Sequence, residues 1–194
     1  FPNHAEVFIT DEYGGLTGST SRISDYYQAD EDWWQAAYNS GKGAIFIGVP
    51  VVDPSAKVLA IPIALPLLNR ETGKIIGILR TTYLGSALIP ILEEKVGKTG
   101  EADLFILGEV LFRFHDGQYM PVEPELYNEL HRVAGQRMVK MGYDNVPSVL
   151  FQSPVQTLGA NPVVNKLGWM VVFHQQQNEA FAPVNAQLRG ALIV

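Results

Sequence analysis

The chain contains no cysteine in 194 residues. That excludes a disulfide framework and any thiolate metal site. Charge is sparse as well, at 18% of residues against 47% apolar, a balance that favours a packed core over disorder. Positive charge is scarcest at the N-terminal end. Glu6, Asp11, Glu12, Asp25, Asp30, Glu31 and Asp32 are met only by Arg22 before Lys42, and the net charge is −6. A nucleic-acid partner wants a basic face, so none is expected. No apolar run reaches the roughly 20 residues of a membrane span, and no signal peptide is recognisable. Gly41-x-Gly43-x-x-x-x-Gly48 precedes a strand and opens no helix, so it is not a phosphate loop. His4, His115, His131 and His174 stand far apart without the spacing of a zinc site. Serine, histidine and aspartate occur, but no nucleophile elbow does. No catalytic constellation emerges, and no cofactor is implied.

What the chain does have is an aromatic knot. Residues 25–38 read Asp-Tyr-Tyr-Gln-Ala-Asp-Glu-Asp-Trp-Trp-Gln-Ala-Ala-Tyr and hold two of the three tryptophans. Asp25 or Asp30 can cap a helix start, and acids in a first turn suit the helix dipole. Asn39-Ser40-Gly41 ends the helix, with Gly41 able to take the left-handed conformation. The expectation is a helix over about 30–40. Trp33 and Trp34 then point about 100° apart, so one can enter a core while the other lines a cavity.

Around this helix the elements fall in order. Strands are expected at 6–10 and 16–20, then at 44–49, 58–68 and 75–83. Pro62 and Pro66 place the fourth of these at an edge or make it bulged. Asn69 to Lys74 is a hairpin turn, and a helix is expected over 86–96. Short connections make the sheet mainly antiparallel with helices on one face, a PAS-like order. The rest looks like a weaker copy. Strands are expected at 103–107 and 110–114, a turn at Asp116-Gly117 and a helix over 124–139. Two more strands at 148–157 and 167–174 pair across 159–162. A last helix from Gln177 carries Phe181, Val184, Leu188 and Ala191 as one apolar stripe. The fold class is therefore α+β, with modules 1–97 and 98–194. The start at Phe1 and the apolar end, residues 191–194, suggest a piece of a longer, membrane-anchored parent.

Asp11-Glu12-Tyr13-Gly14, Ser24 to Gln28 and Asp30-Glu31-x-Trp33-Trp34-Gln35 resemble the double Cache family of extracellular sensor domains. Ile61-x-Ile63-Ala64-x-Pro66 and Gly73 to Leu79 extend the resemblance. It covers residues 6–84 well, and 100–182 by element order and Leu167-Gly168-Trp169. The resemblance implies two PAS-like modules on a long N-terminal helix, which here would precede Phe1 and is absent or truncated. It implies a small ligand in the membrane-distal first module and a membrane-proximal second module whose last helix runs toward the membrane. Parents of such domains are histidine kinases, chemoreceptors and cyclases, and dimerisation would run through the upstream helix. Members that bind free amino acids are expected to carry an arginine two residues before the helix tryptophan, and an aspartate on the last strand of the distal module. Here those positions hold Glu31 and about Thr82, so a free α-amino acid is not expected. A cation, an amine or a neutral metabolite fits acids beside aromatics better.

The expected ligand-binding residues are Tyr26, Glu31, Trp33, Trp34, Phe46, Asp53, Ile61, Ile63, Thr82 and Tyr83. Arg113 and His115 share a strand face and could line a second pocket. The functional expectation is an extracytoplasmic small-molecule sensor, not an enzyme, in a membrane-bound signalling protein. The alternative is a soluble enzyme or carrier using the same aromatic pocket.

Overall fold

The computed structural model describes residues 2–52, 59–93, 95–106, 112–115, 118–157, 159 and 162–191. The chain divides into two compact units, Phe1–Ala87 and Leu88–Val194. Each carries its own antiparallel sheet, so the α+β architecture with tandem PAS-like modules is the one observed.

The first unit contains β1 (His4–Asp11), β2 (Leu16–Ser19), α1 (Asp32–Tyr38), β3 (Phe46–Ile47), β4 (Val51–Val52), β5 (Leu59–Leu68) and β6 (Ile75–Leu84). Its sheet runs β2-β1-β6-β5-β3, with β4 also on β5. The long hairpin β5–β6 is turned by Asn69, whose side-chain oxygen accepts from Glu71 N and Thr72 N, each at 2.9 Å. β5 is not an edge strand. It pairs with β6 from Ala60 to Leu68, and among the described residues its other side is covered by the two-residue strands β3 and β4. Pro62 falls in the gap between β3 and β4, and Pro66 lies beyond β3. Both rings therefore sit where no ladder bond is demanded.

Helix α1 is shorter than expected because Glu31, in extended conformation, is its cap and makes no side-chain capping bond. Asp25 instead accepts from Tyr27 N at 3.1 Å and shapes a turn. Asn39, Ser40 and Gly41 all take positive φ and end the helix. Trp33, Trp34 and Ala37 face the sheet and bury against Phe8, Ala64, Ile75 and Ile78. The loop before the helix is tied to the β1–β2 turn, since Gln28 N donates to Gly14 O at 2.9 Å. Gly14 is required there. Its φ is +90°, and an added Cβ would stand 2.4 Å from Ala29 Cβ.

The second unit contains α2 (Ile89–Leu92), β7 (Glu101–Ile106), β8 (Phe112–His115), β9 (Gln118–Pro121), α3 (Pro124–Arg132), β10 (Val139–Tyr143), β11 (Val146–Pro154), β12 (Met170–Gln176), α4 (Gln177–Ala180) and α5 (Ala182–Ala191). The sheet order is β10-β11-β12-β7-β8-β9. Its core is Phe105, Val122, Leu130, Tyr143, Leu150 and Val172. The helix expected over 86–96 reduces to a 3-10 turn and α2, because Val96 and Gly100 exchange backbone bonds of 3.1 and 3.0 Å. Segment 88–93 belongs with this unit, where α2 packs on β7. The helix expected over 124–139 stops at Arg132, and β10 takes its end. Asp144 and Asn145, both at positive φ, turn β10 into β11 as a two-residue hairpin. The turn expected at Asp116-Gly117 lies outside the described residues. In α5 the expected apolar stripe is uncovered, with Val184 51% and Leu188 58% exposed.

Tyr119 on β9 supplies a pH test of this unit. Its ring packs on Phe114 at 4.8 Å, and its enclosed hydroxyl has no hydrogen-bond partner among the described residues. Burial pushes the phenol up to about 12 from 10.0. The folded chain therefore keeps this proton where the unfolded chain loses it. The stabilisation is whole below pH 10 and is lost as the pH rises through about 12. Tyr119→Phe should flatten this part of the alkaline stability loss in urea titrations taken across that window. An unchanged slope would show the phenol to be hydrated.

Candidate functional site

In the first unit the even-numbered side chains of β1 and β6 share one sheet face. Register sets Glu6 opposite Thr82, Phe8 opposite Arg80 and Thr10 opposite Ile78. On β5 the same face carries Pro62 and Ala64, opposite Thr82 and Arg80. Helix α1 lies over this face but does not fill its end. A cavity of about 380 Å³ remains, lined by Asp30, Glu31, Asp32, Trp33, Phe46, Gly48, Val49, Pro62 and Arg80. That volume suits a small molecule. Gly48 is needed where the chain passes β5, because an added Cβ would lie 2.6 Å from Pro62 Cγ.

Arg80 is the distinctive group. Its guanidinium carbon lies 5.3 Å from the Phe8 ring centroid and 5.2 Å from that of Trp33. Those two rings meet edge to face at 5.6 Å. An Nη1 contact to Glu6 is long, at 3.5 Å. Nε is enclosed and has no hydrogen-bond partner among the described residues. Burial holds the guanidinium below its ordinary pKa, while Glu6 and Glu31 pull the other way. A partly exposed cation on an aromatic platform, with acids at the rim, can take a carboxylate at one end and an ammonium at the other.

Of the residues expected from sequence, Glu31, Trp33 and Phe46 line this cavity. Trp34 does not. It is 5% exposed, its indole N–H donates to Thr10 Oγ1 at 2.9 Å, and its ring stacks on Tyr38 at 4.7 Å. Tyr26 is 67% exposed and places its hydroxyl beside Gly15 and Asp11. Ile61, Ile63 and Tyr83 project from the opposite sheet face, because the strand period is two and Pro62, Ala64 and Thr82 hold the cavity face. Thr82 shares the face of Arg80 but is not on the wall. Asp53 lies outside the described residues.

The second unit holds a buried polar network that linear spacing concealed. Asp103 is wholly enclosed. It accepts from Tyr143 Oη and, at 2.7 Å, pairs with His115 Nδ1. Arg113 Nη1 reaches it at 3.5 Å, and Arg113 also grips Asp144 through two bonds of 2.8 Å. Burial alone would raise the Asp103 carboxyl; His174, Tyr143 and His115 outweigh it and hold it below its ordinary value. Burial and the facing Asp103 raise the Tyr143 phenol. Arg113 and His115 share a face as expected, yet they border different cavities. His115 and His174, 59 residues apart in sequence, have ring centroids 5.9 Å apart.

Sequence reasoning missed Arg80 as a site residue. The signal was a lone cation inside the apolar strand 75–83. It missed the Asp103 network because its members come from β7, β8, β10 and β12, and no local pattern joins them.

No family model matches the chain, and no curated protein does. Solved structures do. The ligand-binding domain of the Pseudomonas aeruginosa PAO1 chemoreceptor PctB, in complex with L-Arg, is 18% identical at TM-score 0.57, covering 93% of this chain and 75% of that one. The ligand-binding domain of the Pseudomonas fluorescens chemoreceptor CtaA, with L-leucine, is 15% identical at TM-score 0.56, covering 93% and 74%. The extracellular domain described as that of a histidine kinase, rpHK1S-Z16, is 16% identical at TM-score 0.53, covering 93% and 73%. These bound ligands overturn the expectation that a free α-amino acid is disfavoured. Its basis, Glu31 and about Thr82 at the positions of the arginine and the aspartate, is also incomplete, since β6 brings Arg80 to the same cavity as Glu31. The chain has the α+β fold of these ligand-binding domains, two PAS-like modules in tandem, as the double Cache resemblance implied.

Proposed function

We propose that the chain is the extracytoplasmic ligand-sensing region of a membrane-bound signal-transduction protein. The first unit is its membrane-distal, ligand-binding module and the second its membrane-proximal one. The ligand is a small zwitterion of the amino-acid class. Its carboxylate meets Arg80, its ammonium meets the acids of residues 30–32, and its apolar part lies on Trp33 and Phe46. The observation that carries this reading is the guanidinium of Arg80, 23% exposed in its side chain, on a Phe8–Trp33 platform at the wall of a cavity of ligand size. The neighbours bound to L-Arg, L-leucine and L-Gln, and PctC bound to GABA, support the ligand class. No helix among the described residues is long and apolar enough to cross a membrane. Signalling would be a population shift. The ligand binds one shape of its module better than another, and only that difference can bias the last helix, α5.

A thermal-shift screen of the amino acids and related amines tests this. A ligand at about 100 times its Kd adds about 2.7 kcal/mol, or roughly 5–10 °C in Tm for a chain of this size. Arg80→Gln should weaken the best hit by about 2 kcal/mol, roughly 30-fold in Kd. Flat melts across the library, or equal binding by Arg80→Gln, would remove the reading.

A further inference from the structure

Register brings three metal-ligating side chains to one end of the second sheet. Glu101 on β7 pairs directly with His174 on β12. His115 on β8 follows Phe114, which pairs with Leu104, so it lies opposite Asp103. All three therefore project from the same face of neighbouring strands. One ligand atom from each of Glu101, His115 and His174 lies within 4.8 Å of the others.

We propose that these residues form a binding site for a borderline divalent transition metal of the Zn²⁺ class. The donor set is two imidazoles and one carboxylate. Hard cations such as Mg²⁺ and Ca²⁺ take oxygen shells, whereas imidazole suits zinc and its neighbours. An outer support is already built. Asp103 is an acceptor held by Tyr143 and Arg113, and His115 turns Nδ1 toward it at 2.7 Å. That contact fixes the ring with its proton on Nδ1 and leaves the Nε2 lone pair for a metal, the usual carboxylate–histidine–metal relay. His174 Nε2 is enclosed, 3.7 Å from Asp103, and lacks a hydrogen-bond partner among the described residues. One carboxylate thus orients the His115 imidazole, while the His174 ring stands beside it without such a bond among the described residues.

Ligands at about 2.0–2.2 Å from a tetrahedral ion stand about 3.3–3.6 Å apart. The cluster must contract by about an ångström, and Glu101 is the member able to move. Its side chain is 28% exposed, and Oε1 is held by the still more exposed Lys95 at 2.9 Å. Such surface pairs are weak and give way to a divalent ion. Cavities of about 340 and 300 Å³ both border Glu101 and His115, so a fourth position opens to water or to a donor atom of a second ligand.

Calorimetry on the metal-free full chain should show one equivalent of Zn²⁺ bound and no heat with Mg²⁺. Co²⁺ in its place should give the visible bands of a low-coordinate site. His115→Gln and His174→Gln should each weaken Zn²⁺ binding by more than the roughly 10–100-fold that loss of an outer-sphere partner brings. Should either variant misfold by circular dichroism, Glu101→Gln changes a partly exposed side chain and carries the same expectation. No Zn²⁺ uptake by the folded chain would overturn the proposal, as would uptake unchanged in the folded variants. Since the ligand site proposed above lies in the other unit, binding at Arg80 can fail or succeed independently.

Discussion

Asp103→Ala is expected to unfold the second unit, or leave it barely stable, at room temperature. The carboxylate is completely enclosed on the central strand β7. Removing it strands a Tyr143 hydroxyl and a His115 N–H. Arg113, only 10% exposed in its side chain, keeps Asp144 alone. Breaking a buried ion pair from one side costs about 3–5 kcal/mol, because a charge is left without compensation. A domain has only about 5–15 kcal/mol in total. Asp103→Asn keeps the volume and one acceptor but loses the charge, so it should be destabilised less. Urea unfolding followed by Tyr and Trp fluorescence measures both. A midpoint for Asp103→Ala within error of the parent chain would mean that water reaches this network.

Trp34→Ala is expected to cost about 3–5 kcal/mol in the first unit, the range for deleting a large buried aromatic. The indole fills the space between α1 and the sheet, and its loss also leaves the buried Thr10 hydroxyl unpaired. Trp33 beside it has a different job. It is 9% exposed, yet it lines the cavity and carries the Arg80 guanidinium. Trp33→Phe keeps a ring in the core and shortens the platform. Its principal effect should therefore be on ligand affinity, while Trp34→Phe should lower Tm and spare affinity. Melting and binding curves on the two Phe variants decide the assignment. Equal loss of affinity in both would place Trp34 in the site as well.

The adjacent tryptophans show how far local reasoning reaches. Helical geometry requires the two rings to diverge, and α1 does send one to the core and one to the cavity edge. Which ring goes where is marked by Thr10, whose hydroxyl on β1 accepts from the Trp34 indole at 2.9 Å. The strand residues behaved likewise. Ile61, Ile63 and Tyr83 were legible as strand but not as to face, and a shift of one residue in register exchanges the two faces. β10 lies beyond Gly135-Gln136-Arg137, a break with Gly135 at positive φ that a helix over 124–139 runs through. The Asp144-Asn145 turn that pairs it with β11 carries meaning only once the hairpin is seen.

The amino-acid order alone determined the alternation of short strands and helices, the antiparallel α+β class and the aromatic helix at the heart of the first unit. These depend on periodicity and turn chemistry between near neighbours. Tertiary structure decided which side chains meet: Arg80 over Trp33, and Glu101 with His115 and His174. Strand pairing joins residues many tens of positions apart, and nothing in local propensity records that register.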